Sequence, residues 1–294
     1  MAAAAGHRRR LEGIALVVLS GCSFATLAIF NRMAQARGVD VLTTLTFRFG
    51  LAALCLWAVT LPRHRPGLGR RKALGFLLMG ALFVTEAGLF FVSSRRIPVA
   101  LTSLLLYFYP ALVMLLSWAL KGERPGGVGL LALVLALAGI GLAVGSPAQR
   151  PDTLGLVLGL ASSLGYSVYM LAGSRLQAGV PPLLATAWIS TCAAVIFLGL
   201  SLGSGSFHPG PALGAWPALL GLAVLGTVVP VFTLMAGRAR ITATQASIAS
   251  TVEPMATAAM GALWLGEGLG LGQLAGGALV IAAVLLLSVR RTSS

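Results

Sequence analysis

The sequence predicts an all-α integral membrane protein of ten transmembrane helices, built as two inverted five-helix repeats, N-in and C-in. Three observations lead there. Of the 294 residues, 57% are hydrophobic and only 10% are charged, at a mean hydropathy of +0.94. No soluble core absorbs that much apolar surface. Charges, Pro and Gly divide the chain into ten apolar stretches, each close to the roughly 20 residues that a helix needs to cross a bilayer. Finally, the chain matches itself at a displacement of 144. Arg96, Ile97, Ser103, Pro110, Gly122 and Glu123 fall on Arg240, Ile241, Ser247, Pro254, Gly266 and Glu267. A unit with an odd number of spans leaves its copy inserted upside down.

The elements follow in order. A basic cytoplasmic tail, 1–12, carries Arg8-Arg9-Arg10 and leads into an apolar run that mimics a secretory signal. The run from Gly13 to Phe30 is long enough to span, which makes it the first helix of the mature chain. The first repeat, 13–145, holds segments of about 13–33, 41–61, 73–94, 98–120 and 127–145. A polar periplasmic link with Pro147 and Pro151 occupies 146–153. The second repeat, 154–289, holds segments of about 154–174, 183–202, 215–236, 242–265 and 272–289. A cytoplasmic tail, 290–294, ends the chain.

Orientation follows from the basic residues, which are retained in the cytoplasm. An N-in arrangement keeps Arg8, Arg9, Arg10, Arg63, Arg65, Arg70, Arg71, Lys72, Lys121, Arg124, Arg175, Arg238, Arg240, Arg290 and Arg291 inside. It leaves only Arg32, Arg37, Arg95, Arg96 and Arg150 outside. Trp57, Trp118, Trp216 and Trp264 sit near span ends, where amphipathic rings prefer the interface; Trp188 lies inside the seventh span.

Composition also excludes functions. A net charge of +14 would point to nucleic acid in a soluble protein, but here the basic residues punctuate apolar segments and form no basic face. Cys22, Cys55 and Cys192 lie far apart inside apolar stretches, without the spacing of a disulfide framework or zinc site. His7, His64 and His208 form no cluster, so neither a metal nor a cofactor is expected. Gly266 to Gly272 lacks the strand or Lys of a phosphate loop, and no Ser/His/Asp constellation is present, so the chain is not read as an enzyme. The excess of Arg and Ala over Lys fits GC-rich codons and hence a bacterial inner membrane.

The repeated element has a recognisable form. Ser103-Leu-Leu-Leu-Tyr-Phe-Tyr-Pro110 leads to Leu120-Lys-Gly-Glu123, and Ser247-Ile-Ala-Ser-Thr-Val-Glu-Pro254 leads to Trp264-Leu-Gly-Glu267. A helix with a central Pro that ends in Gly-Glu, once per half, resembles the EamA-type transporters of the drug/metabolite transporter superfamily. Arg48 in Thr46-Phe-Arg-Phe-Gly50 fits the same pattern. The resemblance runs from Leu11 to Val289 and implies a ten-helix bundle that moves small metabolites or drugs, often outward. It fixes no substrate, and Glu86 is outside the family pattern.

Physics singles out the candidates. Glu86 and Glu253 lie near the middle of the third and ninth spans. Each charge at that depth costs about 2.5–3.5 kcal/mol on insertion scales, and Arg48 adds a similar amount. Such groups persist facing a watery cavity or one another. The acids are read as substrate anchors or proton sites, or else as partners of Arg48 in a structural ion pair, the role preferred for Arg48. Pro110 and Pro254 free the carbonyls of Leu106 and Ser250 and shape a cavity wall, or merely bend their helices. All four tyrosines lie away from span ends. Tyr107 and Tyr109, two residues apart, point to different faces of a helix, and Tyr109 is preferred as the register match of Glu253. Tyr166 and Tyr169 lie midway along the sixth span, Ser250 along the ninth, Thr227 and Pro230 along the eighth. The pairs Gly141/Gly145, Gly155/Gly159 and Gly272/Gly276 fit close helix packing or dimerisation. Glu123 and Glu267 fix loops or gate by pairing with nearby Arg.

Inverted repeats around a midplane site are the architecture of secondary transporters. The expected function is export of a small amphipathic metabolite, amino acid or drug by alternating access, with protons as a candidate coupling ion. An uncoupled facilitator and a non-transporting structural membrane protein are the alternatives. The partners expected are a small-molecule solute and the lipid bilayer, with no nucleic acid, and the state is a monomer or weak homodimer.

Overall fold

Every described element is a helix, and the first begins inside the basic tail rather than after it. A computed structural model describes residues 2–62, 69–122, 126–144, 152–177, 179–241, 243–268 and 270–290, with no strand among them. Arg63, His64, Arg65, Glu123, Arg124, Arg291 and almost all of the expected link at 146–153 lie outside the described residues. The first half contains α1 (Ala2–Ala36), α2 (Val41–Thr60), α3 (Arg70–Ser93), α4 (Val99–Leu106), α5 (Tyr109–Lys121) and α6 (Gly127–Val144). The second contains α7 (Thr153–Leu176), α8 (Pro182–Gly203), α9 (Pro209–Gly214), α10 (Trp216–Ala223), a π-helical turn (Val224–Val228), α11 (Val229–Arg238), α12 (Ala243–Ser250), α13 (Val252–Leu265) and α14 (Leu271–Arg290). Eight of these helices or helix runs are long and apolar enough to cross a membrane, and Leu271–Leu286 is a shorter apolar helix. The ninth expected segment is divided at Thr251 into α12 and α13, pieces of 8 and 14 residues.

The register of 144 is visible in the backbone. Val99 and Gly127 open α4 and α6; Ala243 and Leu271 open α12 and α14. Gly122 and Gly266 cap α5 and α13 at φ 72° and 66°, left-handed conformations that favour glycine. Gly13 of α1 lies against Arg240 and Ile241, as Gly155 of α7 lies against Arg96 and Ile97. The α6–α14 contact is made by backbone: a methyl group on Gly139 would sit 2.6 Å from the Gly276 carbonyl oxygen.

The principal packing crosses between the repeats. α6 packs on α14, α2 on α8, and α3 on both α7 and α8. α1 packs on α10, α11, α12 and α13, while α7 packs on α3, α4 and α5. Each repeat therefore lends its first helix to the other. One bundle joins α1 to α10–α13, and its counterpart joins α7 to α3–α5. The packed bodies are therefore exchanged bundles, which draw their helices from both halves of the chain. The largest core cluster lies between α2, α3, α8 and α10, around Phe49, Phe91, Phe197 and Leu222. At the end of the molecule that carries Asp40, Arg95 and Arg96, Arg96 bonds Asp152 at 2.8 Å. That bond and the Leu154 backbone N–H hold the exposed Asp152 carboxyl below its usual range.

Candidate functional site

Glu86 is held by its own backbone against α7. The Ser162 hydroxyl donates to the Glu86 carbonyl at 3.2 Å, and the side chain is buried in the middle of α3. In the other bundle the Ser20 hydroxyl donates to the Pro230 carbonyl at 2.8 Å. Pro230 is the residue 144 positions after Glu86, so one interhelical bond recurs with an acid in one repeat and a proline in the other. The carboxyl at this place is unique to the first repeat.

Pro110 sits in the first turn of α5. The helix before it ends at Leu106, and Tyr107 and Phe108 form a turn of helical but displaced residues. The Leu106 carbonyl, which a continuous helix would bond to residue 110, accepts instead from the Ser163 hydroxyl of α7 at 3.1 Å. The Ser167 hydroxyl donates to the Tyr109 carbonyl at 3.2 Å. Thus α7 receives the acceptor that the proline releases, as membrane depth requires. Pro254 stands in the first turn of α13, after the break at Thr251.

The break gathers the tyrosines. Tyr107 and Tyr109 rings lie 6.4 Å apart, Tyr109 meets Tyr166 edge-on at 4.8 Å, and Tyr166 stacks on Tyr169 at 5.8 Å. Tyr169 meets Phe83 at 5.3 Å, and Phe83 meets Phe49 at 5.5 Å. All four tyrosines of the chain therefore form one cluster. The expectation that Tyr107 and Tyr109 face apart holds for an unbroken helix and is corrected here, because the turn between them brings both rings to one side. The Tyr107 hydroxyl lies beside the Glu253 carboxyl. Tyr166 lies within electrostatic reach of both Glu86 and Glu253. Glu86, Tyr107 and Tyr109 come from the first repeat; Tyr166, Tyr169 and Glu253 come from the second.

Arg48 stands apart from this cluster, and the expected structural ion pair is not formed. Among the described residues no carboxylate lies within 4.0 Å of it. Its Nε donates to the Thr227 hydroxyl at 3.0 Å, and its guanidinium lies 4.7 Å and 5.3 Å from the Phe49 and Phe91 ring centres. Aromatic faces attract a desolvated cation, so a neutral hydroxyl and two rings replace the carboxylate. Glu86 acts on Arg48 only through space. Thr227 is aimed by the π-helical turn, where its hydroxyl donates to the Leu222 carbonyl at 3.0 Å. That turn immediately precedes Pro230, which has no N–H to continue an ordinary helix. Ser250 donates to the Ala246 carbonyl of its own helix at 2.8 Å. The structure thus groups Tyr109 with Tyr166, sets Glu86 and Glu253 each within electrostatic reach of Tyr166, and assigns Thr227 to Arg48.

Three residues that the sequence reading passed over are Ser162, Ser163 and Ser167, each fully buried on α7. Their signal was present: small hydroxyls four and five apart on a spanning helix mark a face turned to other helices. A cleft of about 560 Å³ lies elsewhere, at the Asp40 end between α2 and α3, and shares no residue with the cluster. Among the described residues no group of three or more His, Cys, Asp or Glu could hold a metal ion.

The comparison with known families is decisive. The EamA-like transporter family model matches twice, over residues 11–145 and 153–289. The chain belongs to the EamA-like transporter family. Similar EamA-like proteins include an uncharacterized transporter of Archaeoglobus fulgidus, 31% identical over 280 residues, which cover 93% of this chain and 95% of that protein. The threonine/homoserine exporter RhtA of Escherichia coli is 29% identical over 288 residues, covering 95% of this chain and 91% of RhtA. One crystal structure shares the fold at a TM-score of 0.65 and 18% identity, covering 98% of this chain and 99% of that one. The EamA-like chain is a multi-pass membrane protein of a transporter family.

Proposed function

We propose that this protein is an alternating-access exporter of the bacterial inner membrane, with ten spans, both termini in the cytoplasm and its solute site at the tyrosine cluster. The observation that carries the reading is the joint construction of that cluster. Glu253 belongs to the bundle of α1 and α10–α13, whereas Glu86 and the four tyrosines belong to the bundle of α3–α5 and α7. Any rotation of one exchanged bundle against the other remakes the site, which is what a transporter needs of its binding site. α12 and α13 together supply the ninth span, as α4 and α5 supply the fourth.

The chemistry favours a small amphipathic solute with an amine. Two carboxyls attract an ammonium group, and tyrosine faces add cation–π attraction. Resemblance to RhtA makes threonine and homoserine the first solutes to test. Purified protein in proteoliposomes should exchange labelled amino acid, and a proton gradient should drive accumulation if the carboxyls exchange protons. Failure to move any amino acid or amine would remove this reading of the site, and solute movement indifferent to a proton gradient would make the protein a facilitator.

The orientation has its own test, motivated by the distribution of basic residues. Reporter fusions after Arg65, Arg124 and Ser294 should read cytoplasmic, and those after Arg37, Arg150 and His208 external. A cytoplasmic reading at Arg150 would break the five-span repeat.

A further inference from the structure

Glu267 spans the two exchanged bundles at one end of the molecule. It follows α13, and its carboxylate accepts from the backbone N–H groups of Val99 at 2.9 Å and Ala100 at 3.4 Å, the first residues of α4. Pro98 caps α4 and offers no side-chain bond, so Glu267 serves as the cap from another helix. A carboxylate at a helix N-terminus also meets the positive end of the helix dipole. Two glycines make the reach possible. Gly266 turns the chain through φ 66°, and Gly261 leaves the space that the carboxylate crosses: a methyl group there would stand 2.8 Å from Oε2.

The surroundings of this seam are not saturated. Arg32 of α1 lies 3.8 Å from Glu267, close enough to attract it but too far for a good hydrogen bond. Asn31 reaches Ser94 at only 3.4 Å. The buried atoms Asn31 Oδ1, Arg32 Nε and Gln35 Nε2 have no hydrogen-bond partner among the described residues. Groups left in this way gain bonds when water or solute reaches them, which favours parting of the seam. α4 packs on α13 at this end.

We infer that Glu267 is a positioning residue for transport: a latch that holds the α4–α13 seam together at the Asp40 end by gripping the start of α4, and releases it when the site turns outward. The inference rests on the orientation proposed above, in which this end faces the periplasm. Ser103 offers the probe, being buried on α4 one turn before Tyr107. In a background lacking Cys22, Cys55 and Cys192, Ser103→Cys should react slowly with a membrane-impermeant maleimide added outside. Glu267→Gln should raise that rate about tenfold, since hydrogen bonds to a charged group are lost. Gly261→Ala, which displaces the carboxylate, should do the same, and Arg32→Gln should raise it less because the backbone bonds remain. An unchanged rate in inserted Glu267→Gln overturns the latch. If that variant does not accumulate, an unchanged rate in Gly261→Ala overturns it equally. Labelling reached only from the cytoplasmic side would refute the orientation, and the latch would then stand or fall on whether Glu267→Gln still accelerates it.

Discussion

Replacing Glu86 with Gln is expected to abolish pH-driven accumulation of solute while sparing part of the downhill exchange. The variant keeps the volume and a polar group but can neither carry a proton nor attract an ammonium as strongly. Folding should survive, because the bond that docks this position on α7 is made by the Glu86 backbone carbonyl and the Ser162 hydroxyl. Nor is a direct salt bridge lost, since Arg48 is held by Thr227 and two phenylalanine rings. Reconstituted protein under an imposed proton gradient supplies the measurement. A normal rate and unchanged pH dependence would make Glu86 structural and move the search for coupling to Glu253.

Pro110→Ala is expected to reduce turnover by at least about tenfold, an increase of about 1.4 kcal/mol in the barrier, with insertion close to normal. Alanine restores an N–H that can bond the Leu106 carbonyl along the helix, in competition with Ser163. A continuous helix from Val99 to Lys121 would rotate Tyr107 away from Tyr109 and withdraw its hydroxyl from Glu253. The loss should therefore fall on the tyrosine cluster rather than on the bundle. Pro254→Ala should act in the same direction through α13. Solute flux per inserted molecule decides the matter: normal rates in both variants would make the prolines passive bends.

Much of this was legible in the sequence, for definable reasons. Displacement by 144 residues located Gly122 and Gly266, because a left-handed helix end admits few residues but glycine, and both stand at such ends. The freed carbonyl at Leu106 followed from Pro110 by geometry alone, although nothing in the sequence said that Ser163 would receive it. Other features depended on relations between helices. The spacing of Tyr107 and Tyr109 implies opposite faces only if the helix continues, and it does not. Charge arithmetic paired Arg48 with an acid, but burial between aromatic rings gave the cation another partner. A repeat register reports which elements are equivalent, not which ones pack. The exchange of α1 and α7 between bundles was therefore invisible.

That exchange has a consequence for biosynthesis. α1 leaves the ribosome well before α10–α13, the helices it packs on. The Ser20–Pro230 bond, for one, joins residues 210 positions apart. The polar face of α1, with Ser20, Ser23 and Asn31 all buried in the finished protein, must wait in the bilayer without its final neighbours. Packing of α1 thus waits for α10–α13, and a nascent chain stalled after α6 should be a substrate for membrane quality control. Conversely, two fragments divided within 146–153 and expressed together each hold what the other lacks, and should find one another and be protected from proteolysis.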